Sequence, residues 1–143
     1  MIAYFKRIAD NFSGKVFKER KVYPSLNDPI QITKDSGAWA AHGTPTEIVP
    51  VSTLTSKIEI DYINVSTISA VGSYELILYT GLAGFEVEFA KRSIDRTATH
   101  SQEGYIPVNS IQIDPNTRIS ASLSGSPAGT ESLYLKLSYT EME

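Results

Sequence analysis

The chain has 143 residues, 41% of them hydrophobic and 20% charged, which suits one globular core and leaves little for a second. It has no cysteine and two histidines, so disulfides, thiol catalysis, zinc ribbons and iron–sulfur ligation are excluded, and a transition-metal site has few ligands to draw on. The formal charge of -3 is unevenly spread: through Pro24 six basic residues face two acidic ones, a net +4, and from Ser25 onward seven face fourteen, a net -7.

At the start of the chain, Ile2, Phe5, Ile8, Ala9 and Phe12 recur at helical spacing with Lys6, Arg7 and Asp10 between them, which predicts a short amphipathic helix. Those residues are too few and too charged for a membrane span or a signal peptide, so the expectation is a protein made and kept in a cytoplasm. Gly14 ends the pattern. Lys15 to Lys21 then reads as a basic arm, and the chain divides into an N-terminal arm over 1–24 and a β-sandwich domain over 25–143.

Dense turn residues from Pro24 to Pro50 leave room only for short strands, at Ile30 to Thr33 and Glu47 to Val49. From Ile58 the period becomes two: Ile58, Ile60, Tyr62 and Asn64 alternate with Glu59, Asp61, Ile63 and Val65, with a bulge or face change expected near Ile63. Tyr74 to Tyr79 is the next strand, and Phe85, Val87 and Phe89 begin another that runs toward Ile94. Ile111 with Ile113, then Arg118 to Ser124, then Leu133 to Ser138 complete the set, the last two joined across Gly125 to Thr130. Seven or eight strands between turn signals predict an all-β fold, a two-sheet β-sandwich of jelly-roll type.

Chemical candidates are sparse. Glu86 and Glu88 share a strand face opposite Phe85, Val87 and Phe89, as Glu59 and Asp61 share theirs, and both pairs read as solvated charge rather than paired catalytic acids. His42 and His100 sit in loop-like contexts; a hydrolase requires one of them beside a serine and an acid. No glycine pattern cradles phosphate, so neither catalysis, a cofactor nor a metal is expected. The acidic body disfavours nucleic acid and favours docking of the basic arm on an acidic protein surface. Trp39 is assigned to the core, and the strand tyrosines Tyr62, Tyr74, Tyr79, Tyr134 and Tyr139 to half-buried positions, with a sugar platform as the alternative.

Two groups of phrases carry a resemblance. Val22-Tyr23-Pro24-Ser25-Leu26, Glu47-Ile48-Val49-Pro50 and Tyr74-Glu75-Leu76-Ile77-Leu78-Tyr79-Thr80-Gly81 form the first; Ile113-Asp114-Pro115-Asn116-Thr117-Arg118-Ile119-Ser120-Ala121-Ser122-Leu123 and the ending Ser138-Tyr139 form the second. Over roughly residues 22 to 139 the chain resembles small all-β virion proteins of tailed bacteriophages. The resemblance implies a structural protein, of the capsid decoration or cement type, that sits on the outer surface of the major capsid protein lattice as a homo-oligomer, dimer or trimer. In that reading Phe5, Lys6, Arg7, Ile8, Phe12, Lys15, Phe17, Lys18, Arg20 and Lys21 contact the capsid. The alternative it leaves is a tail, baseplate or fibre component that binds a receptor or glycan.

Overall fold

β-Branched and aromatic residues dominate the segments that alternate, and the computed structural model turns them into strands. It describes residues 19–25, 28–35, 39, 42–98, 104–126 and 130–142, and among these every regular element is a β-strand. In chain order they are β1 (Arg20–Tyr23), β2 (Ile30–Thr33), β3 (Thr46–Val49), β4 (Ile58–Ile68), β5 (Gly72–Thr80), β6 (Val87–Arg96), β7 (Gly104–Pro107), β8 (Ile119–Gly125) and β9 (Ser132–Glu141).

Two antiparallel sheets result. One has the order β1-β9-β4-β7, and the other β3-β8-β5-β6. β1 and β2 both lie along one edge of β9, at Leu137 to Thr140 and Ser132 to Leu135 respectively, so they form a single edge position with residues 24–29 between its two parts. Counted that way, eight strand positions pass back and forth between two four-membered sheets, the wiring of a jelly roll. The sandwich expected from periodicity is the fold observed.

The core lies between the sheets and follows the alternation. Ile119, Ala121 and Leu123 of β8 and Tyr74, Leu76 and Leu78 of β5 meet Ile58, Ile60, Ile63 and Val65 of β4 and Leu133, Leu135 and Leu137 of β9. Each fully buried Ile or Leu contributes about 1.5–3 kcal/mol relative to exposure. In β4 the inward face shifts from Ile60 to Ile63, and the pairing with β9 jumps from Ile60↔Tyr139 to Tyr62↔Ser138, so the extra residue is Asp61.

Three expectations change. Arg20 to Tyr23, assigned to the arm, is the first strand of the sandwich; its short, basic composition hid a partner 120 residues away. Ile111 and Ile113 do not form a strand: Ile113 makes one isolated bridge to Ile58, while Ile111 is exposed. The strand in that region is β7, which pairs with Tyr62 to Val65 of β4. Trp39 is 44% exposed rather than a core residue. The amphipathic helix, His100, and Phe5, Lys6, Arg7, Ile8, Phe12, Lys15, Phe17 and Lys18 lie outside the described residues.

Candidate functional site

Strand alternation that sends Ile119, Ala121 and Leu123 inward sends Ser120, Ser122 and Ser124 to the outer face of the second sheet, and on β5 it sends Glu75, Ile77 and Tyr79 there too. The β5–β8 register sets Ile77 opposite Ser122, with Glu75 and Tyr79 diagonal to it. His42, on the connection leading into β3, completes the cluster. Its Nδ1 is 2.7 Å from Ser122 Oγ, and its Nε2 is 2.9 Å from Glu75 Oε1. The Tyr79 hydroxyl is 2.9 Å from the same serine oxygen.

The chemistry of the groups orders the protons. A carboxylate at Glu75 only accepts, so Nε2 donates to it; in the tautomer with its hydrogen on Nε2 alone, Nδ1 accepts from Ser122, and Ser122 then accepts from Tyr79. A serine, a histidine and an acid are thus brought together, in the polarity of a nucleophilic triad. Ser122 is 3% exposed, and its oxygen is held between the imidazole and the phenol. What the four groups do is fasten the β2–β3 connection to the sheet at His42, with the hydroxyls of Ser120 and Ser124 buried on either side and without a hydrogen-bond partner among the described residues.

A second cluster holds the end of the sandwich where β5 turns into β6. Arg118, at the start of β8, donates from Nε to Glu47 Oε2 at 2.9 Å and from Nη1 to Glu86 Oε1 at 3.3 Å and the Gly81 carbonyl at 3.1 Å. Glu86 is therefore not the solvated acid its alternation predicts; its side chain is 12% exposed, and its other oxygen accepts from the Gly84 amide. Glu88 does stay at the surface, 3.7 Å from Lys91. The anchored turn presents Leu82, Phe85 and Val87 to solvent, with Phe85 79% exposed. The 50–57 connection and both ends of the described chain lie at this same end, as the Met142 to Lys57 and Ser52 to Asn116 backbone bonds require.

The outer face of the first sheet is organised around Arg20. Its guanidinium lies 3.4 Å from Asp61 Oδ2 and 4.8 Å from the centre of the Tyr62 ring, and Tyr62 meets Tyr105 edge-on at 6.0 Å between centroids. Thr140 donates to the same Asp61 oxygen at 2.7 Å. Lys21 is 3.0 Å from Glu141, and that hydrogen bond and charge raise the ammonium above its ordinary pKa. Arg20 and Lys21, expected to contact the capsid, each have an ion-pair partner within the sandwich. Beside Tyr105 runs a shallow groove of about 260 Å³, reaching Asn64, Ser66 and Lys136.

Sequence reasoning read Tyr79 only as a half-buried strand tyrosine and missed Ser122, Arg118 and Tyr105. For the serines a signal exists, since three hydroxyls opposite three buried apolar residues mark a covered outer face; for Arg118 and Tyr105 the partners are too distant in the chain to be read. Among the described residues no group of three His, Cys, Asp or Glu could hold a metal ion, and no helix is long and apolar enough to cross a membrane.

Comparison with protein families and with curated proteins found no match. Among solved structures the chain is similar to the Eiger TNF of S. frugiperda, with 8% identity, 83% of this chain and 88% of that one covered, and a TM-score of 0.39. A likeness at that level carries no functional argument, and the topology above rests on the strand pairings.

Proposed function

We propose that the protein is a non-enzymatic structural component of a tailed-bacteriophage virion, a decoration protein that binds the outer surface of the major capsid lattice and stabilises the head. One observation carries the reading beyond the resemblance: the apolar turn of Leu82, Phe85 and Val87 stands at the end of the sandwich from which the chain continues toward its basic N-terminal segment. In this reading burial of the exposed apolar cluster supplies affinity, and the charge of the basic N-terminal sequence supplies orientation. A clamp that binds only the assembled shell stabilises it by mass action, and many copies make weak individual contacts sufficient.

Two sets of substitutions in the full chain test this reading. Reversing the charges of Lys6, Arg7, Lys15 and Lys18, and separately replacing Phe85 with Asp, should each lower binding to expanded heads while the protein stays folded. Unchanged binding in both variants contradicts this reading.

A further inference from the structure

We infer that the groove beside Tyr105 is a binding site for a single sugar ring that carries a carboxylate. The register places Lys136, Asn64 and Tyr105 in one row across β9, β4 and β7, for Asn64 pairs with Lys136 on one side and with Tyr105 on the other. Adjacent strands are about 4.8 Å apart, so ammonium and aromatic ring stand roughly two strands from each other with the amide between them. Ser66, two residues along β4, adds a hydroxyl on the same face. Pro29, Val65 and Gly104 line the rest of the groove.

The groups match one ligand chemistry. Tyr105 is 73% exposed, which is unusual for an aromatic ring held in a defined orientation, and its orientation comes from the edge contact with Tyr62, itself under Arg20, which Asp61 holds in turn. A preoriented ring face open to solvent suits the apolar face of a pyranose. Asn64 Oδ1 already accepts from Ser138 at 3.2 Å, so the amide offers its hydrogens to a ligand. Among the described residues Lys136 has no ion-pair partner, and none of the lining side chains is acidic, although the chain as a whole is. Donors without competing acceptors call for an acceptor-rich ligand, and the one cation calls for a carboxylate. The volume, below the ~300–1,000 Å³ of pockets for larger ligands, holds one ring. This site stands apart from the apolar end of the sandwich and is independent of the head-decoration reading.

Saturation-transfer NMR on the full chain tests it, with methyl β-glucuronide, methyl β-glucoside and acetate as probes. The glucuronide should bind with a Kd on the order of 1 mM and the glucoside more weakly. Tyr105→Ala should remove transfer to the ring protons of both sugars, and Tyr105→Phe should restore it. Lys136→Ala should erase the preference for the glucuronide without abolishing ring contact. Arg20→Ala, which touches no ligand, should weaken both sugars through the Tyr62–Tyr105 pair. No transfer with either sugar, transfer unchanged in Tyr105→Ala, or acetate displacing the glucuronide as effectively as the glucoside does would each overturn the inference.

Discussion

His42 and Glu75 lie 2.9 Å apart on the outer face of the second sheet, joining a loop to a strand 33 residues further along the chain. The pair, continued through Ser122 and Tyr79, replaces water on a sheet face that strand alternation alone would have left wet. Replacing His42 with Ala leaves the Glu75 carboxylate and the Ser122 hydroxyl without the imidazole. The expected loss is about 1–3 kcal/mol in urea denaturation. Glu75→Gln keeps an acceptor at the same place and should lose less. A His42→Ala midpoint equal to the parent's would show that the network carries no stability.

Arg118 is a stronger case because its guanidinium, 10% exposed, pairs with Glu86, whose side chain is 12% exposed. Arg118→Ala leaves Glu86 nearly enclosed with no cation, and the expected cost is about 3–5 kcal/mol. Adding Glu86→Gln to that variant should recover part of the loss, which a double-mutant cycle would measure as coupling.

Alkaline pH should unfold the chain for an identifiable reason. Burial raises the Tyr74 and Tyr139 phenols above 10.0, and Glu141 raises Lys21 above 10.5. The folded state thus holds these protons after the unfolded state has released them, so stability is intact at neutral pH and falls as pH rises above about 10. Thermal midpoints measured across this range should decline, and Tyr139→Phe should flatten the decline. A midpoint independent of pH in that window contradicts the assignment.

Gly81 ends β5 at a φ of 117°, and a Cβ there would lie 2.7 Å from the Phe85 carbonyl oxygen. Gly81→Ala meets both a strained backbone and a clash with main chain, and should cost about 1–3 kcal/mol by thermal denaturation. Phe85→Asp, in the same turn but on its solvent side, should stay within about 0.5 kcal/mol of the parent.

The long strands were legible because one face of each is buried, which imprints period two on β4, β5, β8 and β9, and even the face change near Ile63 shows in the residues. β1 and β7 were not, since four residues at a sheet edge need only short, partly exposed alternation, and Arg20 and Gly104 look like arm and loop. His42 reads as a loop residue in the sequence, because its partners come from β5 and β8 and only the register of those strands unites them. Glu86 was misread because alternation reports which face a residue lies on and not what covers that face, here the Arg118 guanidinium.

Cosedimentation of the purified full chain with expanded, undecorated heads of its phage, with tails run in parallel, tests the central proposal most directly. Saturable binding to heads that also raises the temperature at which the shell opens is the predicted result. Binding to tails alone, or to neither particle, would contradict it.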